Sequence, residues 1–341
     1  MKSQKILVTG GAGYIGAHTV VELIEAGYDV VIVDSLSRSD RTLLEGIEKI
    51  TGKKSQFHHG DCCDEAFITN VLQSEGPFSS VLHFAAYKSV GESEKNPLLY
   101  YQNNLTSLTT LLAAMLKNGV HDLIFSSSCT VYGQPDRIPV DEGAPFKRAE
   151  SAYGATKQMC ERILEDVSRT NLRVISLRYF NPIGAHPSAL IGELPIGSPD
   201  NLVPYITQTA AGVREKLTVF GDDYDTIDGS CVRDFIHVVD LGIAHVKAME
   251  YLSSREEDSL YEAFNLGSGV GVSVLQLIKK FIAVTKVNLN YVIGGRRPGD
   301  IEKVYADPTK VNTLLNWKTK YTIEESLLHA WQWEKKIRGL H

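Results

Sequence analysis

The sequence predicts an α/β protein: a Rossmann-type doubly wound parallel sheet followed by a smaller mixed α/β C-terminal region. Three observations carry that prediction. Short Val/Ile/Leu-rich runs alternate with amphipathic stretches through the first half of the chain, the rhythm of β-α-β units. A glycine cluster, Gly10-Gly11-Ala12-Gly13-Tyr14-Ile15-Gly16, joins the first apolar run to the first amphipathic stretch. After Tyr179 the rhythm gives way to a segment rich in Gly and Pro, and the remaining elements are shorter and mixed.

Taken in order, strands are predicted over residues 5–9, 29–34, 55–60, 80–84, 123–127 and 173–179. Most are continuous apolar runs, the pattern of strands covered on both faces. Helical periodicity fills the intervals at 15–26, 42–50, 65–74, 98–118 and 153–169. Right-handed crossovers then place helices on both faces of a parallel sheet. Pro182, Gly184, Pro187, Gly192, Pro195, Gly197 and Pro199 predict a long ordered loop over 181–201. Loops of that length are usually functional. Residues 1–180 are assigned to a first domain and 181–341 to a second, with about 235–266 returning to the first.

Composition narrows the functional classes. With 341 residues, 43% hydrophobic and 22% charged, the chain has an ordinary globular make-up. Its formal charge of −6 comes without a basic run, which speaks against nucleic acid or an anionic membrane as partner. Cys62, Cys63, Cys129, Cys160 and Cys231 are an odd, scattered set without metal-ligand spacing. Reduced thiols in a cytoplasmic protein are expected, and no metal. His58-His59 lacks the helical spacing of a ligand pair. Lys2 and Lys5 precede Ile6-Leu7-Val8, but that apolar run stops at Thr9-Gly10. It is too short for a signal core or a membrane span.

The glycine cluster holds G-x-G-x-x-G from Gly11 and a second spaced set, Gly10, Gly13 and Gly16. Between a strand and a helix, such glycines allow a tight turn and close approach of the backbone to a pyrophosphate. The helix N-terminus then offers unpaired N–H groups to the negative charge. A dinucleotide is the expected ligand. Asp34 closes the second strand near the spacing at which a carboxylate accepts from an adenosine ribose and repels a 2′-phosphate. That favours NAD over NADP, while Arg38 nearby works the other way. Asp61, after the third strand, suits either an adenine contact or a turn cap.

Tyr153 and Lys157 form Y-x-x-x-K, a phenol and an ammonium on one helical face. With 15 Tyr in the chain the pattern alone is common. Its force comes from position: it follows the nucleotide unit and Ser128, at a strand end where such folds build active sites. A free phenol has a pKa of about 10, and lowering it to about 7 takes about 4 kcal/mol. Lys157 and a positive nicotinamide ring are charges suited to supply that. For Ser128 the plainer role is a turn-capping hydroxyl, one of three serines in a row.

Together, residues 10–16, Ser126-Ser127-Ser128, Val131-Tyr132-Gly133 and residues 153–157 resemble the extended short-chain dehydrogenase/reductase family. Arg178-Tyr179-Phe180-Asn181-Pro182 and Gly184-Ala185-His186-Pro187 narrow the resemblance to the UDP-glucose 4-epimerases. It runs through essentially the whole chain, including Val232-Arg233-Asp234-Phe235-Ile236-His237 and Arg296-Arg297-Pro298-Gly299-Asp300. The resemblance implies interconversion of UDP-glucose and UDP-galactose with a resident NAD. Tyr153 would take the proton of the sugar 4-hydroxyl as hydride leaves C4, and Ser128 would hydrogen-bond that oxygen. The ketone would turn over and accept the hydride on its other face.

The resemblance also implies the contacts. For the cofactor they are Gly10, Gly13, Tyr14, Ile15, Gly16, Asp34, Ser35, Ser37, Arg38, Ser39, Asp61, Cys62, Phe84, Ala85, Ala86, Lys88, Asn103, Ser128, Tyr153, Lys157 and Phe180. For the UDP-sugar they are Ser128, Tyr153, Asn181, Asn201, Leu202, Thr218, Val219, Phe220, Arg233, Arg297, Asp300 and Val304. A homodimer is implied through the helices at 98–118 and 153–169, although periodicity alone makes them core helices. Two departures stand out. Ser35 follows Asp34 where related enzymes often have Asn. Val304 stands where some bacterial members carry a Tyr, which suggests room for a 2-acetamido group and hence UDP-GlcNAc and UDP-GalNAc as further substrates. A plain core residue is the alternative.

Rival activities are weighed on the same residues. Nucleotide-sugar 4,6-dehydratases need an Asp-Glu pair where this chain has Cys129-Thr130, and the related decarboxylases need a Glu in that loop. Epimerases acting on uronic or acetylated sugars are poorly separated by sequence. A non-catalytic NAD sensor would have little use for Ser128, Tyr153 and Lys157 beside a complete sugar site.

Overall fold

The computed structural model of the chain describes residues 4–297 and 300–340. Lys2, and Pro298 and Gly299 of the arginine motif, lie outside those residues. The first half alternates β1 (Lys5–Thr9), α1 (Tyr14–Glu25), β2 (Asp29–Asp34), α2 (Arg41–Thr51), β3 (Gln56–His59), α3 (Glu65–Glu75) and β4 (Ser80–His83). There follow α4 (Val90–Lys95), α5 (Pro97–Lys117), β5 (Asp122–Ser128), a 3-10 turn (Cys129–Tyr132), α6 (Ala152–Ser168) and β6 (Arg173–Tyr179). Each expected strand and helix is present. The short α4 was not foreseen: Ser89 caps it by accepting from the Glu92 N–H, and Asn96 separates it from Pro97 at the start of α5.

The second half contains β7 (Asn181–Ile183), α7 (Leu202–Ala210), β8 (Leu217–Phe220), β9 (Val232–His237), α8 (Val238–Ser253) and β10 (Leu260–Leu266). The chain ends through β11 (Gly271–Ser273), α9 (Val274–Thr285), β12 (Tyr291–Gly294), β13 (Lys303–Val304), α10 (Thr309–Leu314) and α11 (Ile323–Arg338).

Seven strands make the central sheet in the order β10-β6-β5-β4-β1-β2-β3, and every pair is parallel. The apolar runs are buried on both faces, with the two-residue alternation of a strand. Ile6 and Val8 join Val30 and Ile32 in one core, while Leu7 joins Val31 and Val33 in the other. Connections from β1 run outward in opposite directions, so the chain diverges at the C-terminal ends of β1 and β4. That switch point opens a crevice, where doubly wound sheets bind their ligands.

After the 181–201 segment the chain crosses back. Helix α8 packs against α1, with Gly242 leaving room for Glu22, and β10 extends the sheet beside β6. The other elements form a second layer system. Strand β9 is flanked by β7, β11 and β13, and β8 pairs with β12 in parallel. Helices α7, α9 and α11 cover a separate core built on Ile206, Leu277, Phe281 and Trp331. Among the described residues no helix is long and apolar enough to cross a membrane.

Candidate active site

Gly10 is required at the end of β1 on two counts. Its backbone is left-handed at φ 73, and a Cβ there would lie 2.6 Å from the Ala85 amide nitrogen. A Cβ on Gly16 would lie 2.3 Å from the Gly10 carbonyl oxygen. The turn therefore presses against the segment after β4 and leads straight into α1. No side chain caps α1 at Gly13, so the N–H groups of Tyr14, Ile15 and Gly16 are left to an anion. The Tyr14 side chain turns away, its hydroxyl donating to the Gly184 carbonyl at 2.7 Å. Tyr14 thus offers a ligand its main chain.

Asp34 organises the next corner. Its carboxylate accepts from Ala12 N at 3.0 Å, Leu36 N at 2.9 Å and Ser39 Oγ at 2.7 Å. A carboxylate has about four acceptor positions, so one remains for a ribose hydroxyl. The Ser35 and Ser37 hydroxyls pair with each other at 2.9 Å on the rim. Arg38 is committed elsewhere: it meets Glu92 at 2.7 Å and lies 4.9 Å from the Tyr87 ring centroid. A 2′-phosphate would have to break that pair, which adds to the case for NAD. Asp61 accepts from the Cys63 N–H at 2.8 Å, the capping role, and also lines the cleft. Burial pushes the neighbouring Cys62 thiol up to about 12, so it is an inert wall. Phe84, Ala85, Ala86, Lys88 and Asn103 complete this side. Phe84 is braced by the His245 ring, 4.8 Å away.

Helix α6 begins beside the end of β5, and Ser151 fixes its start by accepting from the Gly154 N–H at 3.0 Å. Tyr153 and Lys157 therefore project one turn apart toward Ser128. Burial pushes the Tyr153 phenol up to about 12, and the Ser128 hydroxyl hydrogen-bonded to it works the other way. Burial draws Lys157 down to about 8, opposed by Cys160 and Glu161. Its Nζ donates to the Ser126 carbonyl at 2.5 Å and lies 5.9 Å from the Tyr153 ring centroid. Lys157 stands over the phenol ring without a hydrogen bond to it.

The three serines divide the work. Ser126 anchors Lys157 through its carbonyl, and Ser127 on the opposite face donates to Glu161. Ser128 both faces Tyr153 and accepts from the Thr130 N–H at 3.2 Å, so the capping and site positions coincide. Behind them lies a group that sequence reasoning missed. Glu161 accepts from Arg178 at 2.7 Å and from the Tyr261 hydroxyl at 2.8 Å, all buried or nearly so. Glu161 is one turn beyond Lys157, a spacing that reads from sequence as a solvated helical face.

In the second half of the chain Asp300 accepts from Arg297 at 2.6 Å and lies 3.9 Å from Arg233. The Arg297 guanidinium stands 5.5 Å from the Phe220 ring centroid. These four side chains form one cluster. Asn201 precedes α7 without capping it, and its amide donates to Glu193 at 2.5 Å; Leu202 opens the helix and Asn181 opens β7. Thr218 carries its methyl toward Gly294. Val219 corrects the expectation for its side chain, which is buried in the core with Val203 and Ile206 and offers a ligand no surface. Phe180 and Val304 share a small apolar cluster with Val131, Tyr132, Val140 and Ala306, with Cys129 at its edge. Tyr179, Glu92 and Glu193 also line the cleft and were not foreseen. For Glu193 the available signal was its place as an acid inside the Gly/Pro-rich segment.

Residues 6–267 match the NAD dependent epimerase/dehydratase family. The chain belongs to that family. It is 47% identical over 333 residues to the UDP-glucose 4-epimerase of Pasteurella multocida, covering 97% of each chain. A solved UDP-glucose 4-epimerase from Stenotrophomonas maltophila, with bound NAD and formylated UDP-arabinopyranose, superposes with a TM-score of 0.95 at 46% identity. That match covers 98% of this chain and 99% of the other. The UDP-Glc/GlcNAc 4-epimerase of Campylobacter jejuni is 36% identical with a TM-score of 0.84, over 98% of this chain and 100% of that one.

Within an epimerase/dehydratase family the position of acids decides between the two chemistries. The turn after β5 carries Cys129 and Thr130 and no carboxylate. Buried Asp234 is the acid whose charge bears on Cys129, and its oxygens are already filled. They accept from Ser268 N at 2.7 Å, Ser268 Oγ at 2.6 Å, Gly269 N at 3.0 Å and Ala306 N at 3.1 Å. With about four acceptor positions used, Asp234 is a structural tie with no capacity to shuttle a proton. Among the described residues no His/Cys/Asp/Glu group could hold a metal ion.

Proposed function

We propose that this chain is an NAD-dependent 4-epimerase interconverting UDP-glucose and UDP-galactose. The observation that carries the reading is that Tyr153 and Lys157 line one cleft with the glycine turn, with Ser128 hydrogen-bonded to Tyr153, in a chain that also gathers Arg233 and Arg297 around Asp300. Residues 1–180, with about 235–266, hold the cofactor, and the rest of 181–341 the UDP-sugar. The uncapped N-terminus of α1 suits a pyrophosphate, and the free acceptor position on Asp34 suits an adenosine ribose. NAD, when bound, supplies the acceptor and donor of one hydride. Tyr153 removes the proton from the sugar 4-hydroxyl and later returns it, Ser128 hydrogen-bonds that oxygen, and Lys157 favours the phenolate. The Arg233 and Arg297 forks suit a diphosphate. Purified protein given UDP-galactose, with no reductant or cofactor added, is expected to form UDP-glucose. A requirement for stoichiometric reductant, or no conversion, overturns the reading.

UDP-GlcNAc and UDP-GalNAc are further candidate substrates on the small size of Val304 alone; the residue is 4% exposed, packed in the apolar cluster with Phe180. Val304→Tyr is expected to lower the ratio of acetylated to plain sugar turnover by about tenfold or more, the usual worth of a filled pocket. An unchanged ratio, or a variant that loses its fold, assigns Val304 to the core alone. A homodimer is supported by α5 and α6, which lie side by side and leave Leu98, Leu99 and Met159 exposed. A monomeric mass in sedimentation removes it. All five thiols are free, which supports a cytoplasmic setting.

A further inference from the structure

The 181–201 segment runs along the mouth of the cleft, between the cofactor residues after β4 and the sugar residues at the start of α7. One of its oxygens is contested. Glu193 Oε1 accepts from Lys88 Nζ at 3.1 Å and from Asn201 Nδ2 at 2.5 Å. Lys88 belongs to the cofactor side of the cleft and Asn201 to the sugar side. The Glu193 side chain is only 12% exposed, while Lys88 and Asn201 are both exposed, so the shared oxygen sits at the solvent edge where a ligand can reach its partners.

The rest of the segment is held independently of that carboxylate. The Glu193 carbonyl accepts from Trp333 Nε1 at 2.9 Å, and a Cβ on Gly192 would lie 2.4 Å from the Trp333 ring. At the other end the Gly184 carbonyl takes the Tyr14 hydroxyl of α1. Both ties are buried or nearly so and are neutral. The Lys88–Glu193 link is therefore the part of the loop that spans the crevice and can respond to a ligand.

We infer that Glu193 is a coupling residue that makes the hold on NAD depend on whether the UDP-sugar site is filled, by passing one acceptor oxygen between Asn201 and Lys88. A UDP-sugar that takes the Asn201 amide releases Oε1, leaving the whole carboxylate to Lys88. The link across the cleft mouth then strengthens and slows NAD escape. Linkage requires the reverse as well: by whatever factor UDP raises the equilibrium affinity for NAD, bound NAD raises the affinity for the uridine nucleotide. The inference rests on the cofactor and UDP-sugar reading above and concerns a positioning residue, since Glu193 acts through Lys88 and Asn201.

The test is exchange of bound NAD against isotopically labelled NAD in the purified holoenzyme, with and without saturating UDP. In the unaltered protein UDP is expected to slow exchange by about threefold to fivefold, what an exposed ion pair can supply. Glu193→Gln keeps the shape and removes the charge; exchange should become faster and its UDP dependence should fall below about twofold. Lys88→Met is expected to do the same. A merely structural role for Glu193 would speed exchange equally with and without UDP and leave the UDP ratio intact. That result, or no effect of UDP on the unaltered protein, overturns the inference. Failure of the epimerase reading would show separately, as absence of UDP-galactose conversion, because the exchange needs no turnover.

Discussion

Tyr153→Phe is expected to lower UDP-galactose epimerisation by roughly a hundredfold to ten-thousandfold, the range for a positioned proton-transfer group, while NAD stays bound. The magnitude follows from what the phenol must do. In the protein alone, burial pushes Tyr153 up to about 12. Ionising it near neutrality takes roughly 7 kcal/mol of preference for the anion, at about 1.4 kcal/mol for each tenfold change. Lys157 Nζ stands 5.9 Å from the ring centroid. That raised value holds with Lys157 in place, so a second positive charge, the nicotinamide ring, is expected to favour the anion. A unit charge at about that distance, in an effective dielectric of about 20, contributes about 3 kcal/mol. The phenolate should therefore appear only well above neutral pH in NAD-free protein and at lower pH once NAD is bound. Turnover needs the phenolate, so it falls as pH drops through the loaded-state pKa. Lys157→Met removes one of the two charges and should move that fall to higher pH. Near-normal turnover in Tyr153→Phe, or an unmoved pH profile in Lys157→Met, counts against the assignment.

The same residues show what a linear reading can reach. The central strands were legible because parallel strands covered on both faces must be apolar at successive positions, and β1, β2 and β6 fall on the expected bounds. The glycine turn was legible because its spacing encodes sterics: Gly10 and Gly16 admit no Cβ where they sit. Ser128, Tyr153 and Lys157 were legible as a set, but their geometry was not. That Lys157 spends its hydrogen bond on the Ser126 carbonyl depends on how far α6 stands from β5, which no spacing along the chain specifies. Val219 was implied as a contact by the resemblance alone, and strand alternation between Thr218 and Phe220 turns its side chain into the core. Glu193 and Glu161 went unread for a common reason. Each acid finds its cations across a long sequence separation, and a lone acid in a loop or on a helix is usually solvated. The charge on Arg38 was visible, but its partner Glu92 lay on a helix that was itself unforeseen.

The substitution expected to cost most stability is Glu161→Ala, at about 3–5 kcal/mol, because it strands a buried cation. Arg178 is 5% exposed, and its remaining hydrogen-bond partners are neutral, the Tyr132 hydroxyl at 2.9 Å and the Glu142 carbonyl at 3.2 Å, while the Glu142 carboxyl acts on it only without a hydrogen bond. The reverse change, Arg178→Met, should cost a similar amount by leaving Glu161 unpaired at 2% exposure. Replacing both together, Glu161→Leu with Arg178→Met, is expected to cost less than either single change. The desolvation penalty of the two charges disappears along with their attraction, and packed apolar groups take their place. Urea unfolding of the three variants measures this. A loss under about 1 kcal/mol in Glu161→Ala, or a double variant equal to the sum of the singles, contradicts it. The effect reaches the site through β5. Ser127 sits opposite Arg178 in the β5–β6 register and donates to Glu161, so the pair fixes the strand end that carries Ser128. Turnover in the double variant should then fall even where stability recovers, since the apolar pair cannot accept from Ser127. Recovery of both together would show that packing alone, and not the Ser127 hydrogen bond, sets the direction in which Ser128 points.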